Sequence, residues 1–328
     1  MIAMARRRQP GFSLAELMIA VALGLLVTLV ASALLVSSSA AYLEQGEALQ
    51  LDDGGRYALE IIGRSIRQAG YVHRDGAAAP VMAEVSDNGY ISGLDASRVS
   101  ARSAGITDAL SGGASGVMHG VINGSDVLAL RYFGAGPGFH GDGSVQNCGG
   151  FGVGAASSEQ ERGWSIFYVA EDADGEAELR CKYRGENGWS AGAIVRGVDS
   201  FQVLYGIDTD VPPDGLANRY LNATAIDAID MALPLVGADL ASRDRDKNSK
   251  TSWKRVVSIK LALLLHGGRG SRPENVPLQF DLFGQAYSAA QGLDDRGVHI
   301  DEGALAPALR ARARKLVEAT IVLRNPSM

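Results

Sequence analysis

Hydrophobic and polar positions divide the chain into a long helical stretch and a longer β-patterned one. Between the carboxylates Glu16 and Glu44 no charged residue occurs, and residues 17–36 are almost wholly apolar. A helix crossing the hydrocarbon core of a bilayer needs about 20 apolar residues, so this run predicts a membrane-spanning helix. The apolar region of a secretory signal is shorter, about 7–15 residues. Beyond it, Tyr42, Leu43, Leu49, Leu51, Tyr57, Leu59, Ile61, Ile62, Ile66 and Ala69 recur at mixed three- and four-residue steps, the spacing of one apolar helix face. Gly54 and Gly55 weaken the middle, at about 1 kcal/mol per glycine relative to alanine, and Gly70 is placed as a C-cap. A single helix from 12 to about 70 would be about 90 Å long.

From about residue 73 onward the pattern is that of strands. Segments 126–133, 164–170, 178–183, 200–206, 255–266 and 316–323 are expected strands, separated by Gly-rich or Asp/Pro-rich loops. In 255–266, Val257, Ile259, Leu261, Leu263 and Leu265 share one face, and the opposite face is apolar too. No internal repeat is present. The pattern predicts an α+β chain: a long N-terminal helix whose first half spans a membrane, packed on a large β-rich globular domain. The divisions are a leader at 1–11, a transmembrane helix at 12–40, its amphipathic continuation at 41–72, and an extracytoplasmic domain at 73–328.

Charge sharpens this picture. The 328 residues carry a formal net charge of −6, which argues against a dedicated nucleic-acid binder, since phosphate contacts need clustered Lys and Arg. Arg6, Arg7 and Arg8 precede the apolar run and favour a cytoplasmic N-terminus, placing the rest outside the cytoplasm. Glu16 stands just inside the apolar run. A carboxylate deep in lipid costs up to about 3 kcal/mol, so Glu16 is either a functional charge or a headgroup-boundary residue.

Catalytic signatures are absent: there is no HExxH, no GxSxG and no P-loop. Neither a cofactor nor a reaction is expected. Residues 136–141 fit GxGxxG, but a dinucleotide site needs a helix starting there, and Pro137, Gly141, Asp142 and Gly143 oppose one. Asp208, Asp210 and Asp214 gather oxygen ligands in the sequence DTDVPPDG. Pro212 and Pro213 break the alternate spacing of a calcium loop, leaving a solvated acidic turn as the other reading. The run Arg310, Arg312, Arg314, Lys315 reads as a solvated face or an edge-strand protector, or as a contact for nucleic acid or anionic lipid. Cys148 and Cys181 are not at CxxC spacing and have no histidine cluster beside them.

The segment Gly11-Phe12-Ser13-Leu14-Ala15-Glu16-Leu17-Met18 resembles the class III signal of type IV prepilins and type II secretion pseudopilins. In that pattern a basic leader ends in Gly, followed by Phe, Ser or Thr, apolar residues, and Glu at the fifth mature position. Ala15 departs mildly, since a larger aliphatic is usual there. The resemblance implies cleavage between Gly11 and Phe12 by a prepilin peptidase, N-methylation of Phe12, and an assembly role for Glu16 against the Phe12 amine of a neighbour. That amine has a pKa near about 8. Loss of the leader removes three arginines, changing the net charge from −6 to −6 − 3 = −9.

Four further segments resemble the PilW-type minor pilins. DDGGRYALEIIGRSIRQAGY is similar to the family's "ENGRYAL…LRDIRMAGY". GVDSFQVLYGIDTD with NRYLNA is similar to "YGVDTD…YL", WKRVVSIKLALLL to "W…V…VRIALLLR", and ATIVLRN to "T…VALRN". Their order runs from Gly11 nearly to the C-terminus, with 76–123 least covered. The family also has one Cys in a Gly-rich loop and another in an "LRC" strand, so the resemblance implies a Cys148–Cys181 disulfide; two buried free thiols are the alternative. The implied function is a structural minor pilin that helps start or cap a filament used for adhesion, twitching or DNA uptake. Implied partners are other minor pilins, the major pilin, the prepilin peptidase, the inner-membrane assembly machinery and a tip adhesin. It would sit in the inner membrane before assembly, with a periplasmic C-terminal domain, and on the pilus afterwards. A J-type pseudopilin shares the leader, and a membrane-anchored extracytoplasmic enzyme would leave the register of Gly11, Phe12 and Glu16 unexplained.

Overall fold

The computed structural model describes residue 11 and residues 13–71, 89–106, 110–111, 121–156, 158, 161–272 and 276–325. Helix α1 spans Leu14–Gln68. The chain divides into two compact units, Met1–Glu47 and Ala48–Met328.

In the first unit, Leu14–Ser39 is long and apolar enough to cross a membrane. Its large apolar side chains are exposed, from Leu14 to Val36. The hydroxyls of Thr28, Ser32 and Ser39 donate to the carbonyls of Leu25, Thr28 and Leu35 on the same helix. Each polar group is thereby satisfied without water, as a lipid environment demands.

The second unit holds the rest of α1 and, among the described residues, two main antiparallel sheets. In chain order the strands are β1 (Ile91–Leu94), β2 (Ser97–Arg98), β3 (Leu110–Ser111), β4 (Val127–Tyr132), β5 (Gly163–Glu171), β6 (Ala177–Gly185), β7 (Gly188–Arg196), β8 (Val198–Ile207), β9 (Arg219–Leu221), β10 (Val256–His266), β11 (Gln279–Asp281), β12 (His299–Asp301) and β13 (Arg314–Val322). One sheet runs β1-β4-β5-β6-β7 and the other β13-β10-β8-β9. Helices α2 (Ala223–Met231), α3 (Leu240–Lys250) and α4 (Gln285–Gln291) complete the unit.

All six expected strands form, as β4, β5, β6, β8, β10 and β13. The main core joins Leu51, Ala58, Ile62, Ile66 and Ala69 of α1 to Leu128 and Phe167 of one sheet and Phe201, Val203, Ile259 and Leu261 of the other. Every residue of β8 is buried. The second apolar face of β10 is explained by a smaller core: Ala262 and Leu264 pack with Leu282, Phe283, Val298 and Ile300 from the α4 region.

The glycine pair in α1 has a packing role. A Cβ on Gly54 would lie 3.0 Å from Val195 of β7, and one on Gly55 would lie 2.8 Å from Val317 of β13. Those are edge strands of different sheets, so one helical turn is pressed by both. The missing side chains let the helix approach, and this offsets the propensity lost at two glycines. A salt bridge from Lys315 to Asp52, at 3.0 Å, closes the same seam. Gly70, at φ 69°, follows the helix where a Cβ would meet the Asn325 carbonyl at 2.6 Å. We expect Gly55→Leu to lower the stability of this unit by about 1–3 kcal/mol through overpacking. Thermal melting of the full-length chain in detergent reads this, and an unchanged melt would show that the seam has spare room.

Candidate functional site

The start of α1 is built from two reciprocal bonds. The backbone N–H of Ser13 donates to Glu16 Oε2 at 2.9 Å, and the N–H of Glu16 donates to Ser13 Oγ at 3.2 Å. This is a capping box, in which Ser and Glu three residues apart satisfy two of the free donors at a helix N-terminus. The Ser-x-x-Glu spacing preceding an apolar run is legible in sequence, and it gives Glu16 a capping role beside its charge. Gly11 is exposed immediately upstream, while Phe12 lies outside the described residues.

Cys148 and Cys181 are disulfide-bonded, with Cα atoms 5.9 Å apart. Both are buried, and Cys148 N–H donates to Ser165 Oγ at 2.9 Å. The bond fastens the Gly-rich loop after β4 to the centre of β6, as the resemblance implied. Within that loop, Gly136, Gly138 and Gly141 adopt positive φ. No helix begins in residues 134–144, which leaves the GxGxxG match as a turn.

Asp208, Asp210 and Asp214 do come together, each offering one oxygen within 4.8 Å of the others. The loop's own donors engage them: Gly215 N–H and Asp210 N–H bond the two Asp208 oxygens at 2.7 and 2.9 Å, and Asn218 reaches Asp210 at 3.0 Å. These backbone bonds, from Gly215 foremost, hold the Asp208 carboxyl below its usual range.

The basic run is divided: Arg310 and Lys315 are exposed, while the side chains of Arg312 and Arg314 are buried. Arg314 is fully buried and donates to Asp199 and Glu302, each at 2.7 Å. Arg312 is buried as well and bonds Glu176 at 2.9 Å and His266 at 2.9 Å. Lys315 is taken by Asp52. Partners distant in sequence therefore neutralise what looks like a free cationic segment. With those two arginine side chains buried, Arg310 and Lys315 are what the run presents to solvent, and Lys315 is paired with Asp52.

One cluster has no counterpart in the sequence reading. Asp95, Asp126 and Asp295 each present an oxygen within 4.8 Å of the others. The register of β1 on β4 pairs Gly93 with Leu128 and Leu94 with Val127, so Asp95 and Asp126 face each other where the strands part. Like charges opposed across two strands are destabilising; at about 5 Å and an effective dielectric of about 20 they repel by about 3 kcal/mol. Asp95 is held by the N–H groups of Ala223 and Thr224 at the start of α2. Asp126 is held by Ala96 and Val203. Asp295 arrives from the segment after α4, accepting from Tyr287 Oη at 2.8 Å, while its Oδ1 is buried without a hydrogen-bond partner. Burial, then the neighbouring carboxylates, raises the Asp126 carboxyl well above its ordinary value. Burial raises that of Asp295 to about 6, against the favourable neighbours Tyr287 and Asn222. No local motif could reveal these residues, which come from three separate segments.

Residues 166–325 match the family described as Type IV Pilus-assembly protein W, PilW. Residues 6–32 match the prokaryotic N-terminal methylation motif. Among solved structures, the type IV-like pilin TTHA1219 from Thermus thermophilus is similar, at 12% identity and a TM-score of 0.38, over 85% of this chain and 99% of that one. No curated protein matches the chain.

Proposed function

We propose that this chain, a type IV pilin-like protein joining an N-terminal methylation motif to a PilW domain, is cut between Gly11 and Phe12, N-methylated at Phe12, and built into a type IV pilus as a minor structural subunit. The observation that carries this reading is one of register. The basic leader, Gly11, the Ser13–Glu16 capping box and the span Leu14–Ser39 follow one another without a gap. The role is structural rather than enzymatic, in keeping with a family described by pilus assembly.

In this reading the apolar helix holds the subunit in the inner membrane before assembly, with the β-rich unit in the periplasm, and becomes part of the filament core afterwards. Glu16 then changes partner, from its own Ser13 N–H to the free amine of a neighbour's Phe12. Buried charges that are expensive alone fix register as a pair. Beyond Gly70 follow 328 − 70 = 258 residues, large for a domain, where about 100–150 is common. That bulk supports a place at the tip or in a priming complex, beside other minor pilins and an adhesin, over regular repetition along a shaft.

Mass spectrometry of the N-terminal peptide tests the reading. We expect a peptide that begins at Phe12 and is one methyl group heavier than its sequence mass. A peptide beginning upstream of Gly11 in peptidase-competent cells would overturn it. Co-purification with type II secretion components instead of pilus components would assign the chain to the J-type pseudopilins.

A further inference from the structure

We propose that Asp95, Asp126 and Asp295 form an interior site for one hard divalent cation of the calcium class. Three carboxylate oxygens lie within 4.8 Å of one another, a span that a single ion with oxygens at about 2.3–2.6 Å can bridge. The donors are all oxygen, which selects hard cations over the softer metals that favour imidazole or thiolate.

Two buried polar atoms at the cluster point to a ligand. Asp295 Oδ1 has no hydrogen-bond partner, although Asp295 is only 1% exposed. The Tyr205 hydroxyl is likewise buried and unpartnered. It ends against Gly93, where a Cβ would stand 1.8 Å from the oxygen. Gly93 is two residues before Asp95, and Asp126 bonds the backbone of Val203, two residues before Tyr205. The fields of Asp126 and Asp95 both act on this hydroxyl, behind the larger effect of its burial. The acidic loop at Asp208 lacks such orphaned buried atoms: both Asp208 oxygens are engaged, and Asp210 and Asp214 are exposed.

The ion would be a structural staple. It would join the open end of the β1–β4 pair to the segment after α4, and through the Asp126–Val203 bond to β8. Asp95 would keep its hold on the start of α2.

The test uses the full-length chain in detergent, stripped with a chelator and titrated with calcium, magnesium or terbium. One equivalent of calcium should bind and raise the melting temperature. Terbium should occupy the same site, with an emission lifetime less sensitive to D₂O than that of a loop-bound ion, because Asp126 and Asp295 are buried and Asp95 is half-buried. Asp295→Asn, which preserves size, should weaken calcium binding by roughly 100-fold, and Asp210→Asn should leave it unchanged. The lifetime needs no variant, so it decides the matter even if Asp295→Asn fails to fold. No binding at millimolar calcium would overturn the site and leave protons to neutralise the cluster. A strongly D₂O-sensitive lifetime, or binding lost in Asp210→Asn and kept in Asp295→Asn, would move the ion to the exposed loop.

Discussion

Replacing Glu16 with Val is expected to reduce incorporation into pili by at least about 100-fold while sparing membrane insertion and leader cleavage. The helix becomes more apolar, so insertion has no reason to fail. The proposed cut follows Gly11, five residues upstream. What is lost is the carboxylate that, in the proposed filament, meets the neighbour's Phe12 amine. An ammonium left without a partner in an apolar core costs several kcal/mol, and about 2.7 kcal/mol already corresponds to 100-fold. Because Glu16 also accepts the Ser13 N–H at 2.9 Å, Val removes a helix cap, which alone is worth about 1 kcal/mol. Glu16→Gln separates the two effects. Gln can serve in a capping box but carries no charge, so it should assemble about as poorly as Val. Immunoblots of sheared pili and of membranes give both readouts. Assembly restored by Gln would assign Glu16 to helix capping, and normal assembly of Glu16→Val would remove any role in the filament.

Breaking the disulfide should have the largest effect on the β-rich unit. The bond closes a separation of 33 residues, and a loop of that length is worth about 3–4 kcal/mol in the chain-entropy view. Cys148→Ser with Cys181→Ser should therefore lower the melting temperature by roughly 10 °C, together with loss of order in the Gly-rich loop. The double substitution avoids leaving one reactive thiol. In the native chain, thiol labelling after denaturation without reductant should give no signal; stoichiometric labelling would sink the assignment. A melt unchanged by the double substitution would show that the loop's other bonds suffice, among them Gln68 Nε2 to Gln146 O at 2.8 Å.

Much of this was readable in the residues, and the exceptions have physical causes. The helix and six strands announce themselves because their apolar positions keep a period. Strand β7, with the sequence GWSAGAIVR, does not: most of its residues are exposed or only half-buried, and small residues carry little pattern. Helix α3 buries no residue, so no apolar stripe marks it, and its start is set by an Asp239–Ser242 capping box instead. Strands β9, β11 and β12 have three residues each, too few for any periodicity. Arg312 and Arg314 were misjudged because their neutralising carboxylates lie at Glu176, Asp199 and Glu302. The Asp95 cluster stayed hidden for the same reason. Charges meet through topology, and local sequence records only their sign.

The turn of α1 at Gly54 and Gly55 also has a mechanical meaning. Within the β-rich unit this turn touches edge strands of both sheets, so a force on this stretch of α1 would bear on two seams at once and not on one sheet edge alone. Two residues without side chains, which lower helix propensity, thereby become one of the places where α1 meets both sheets.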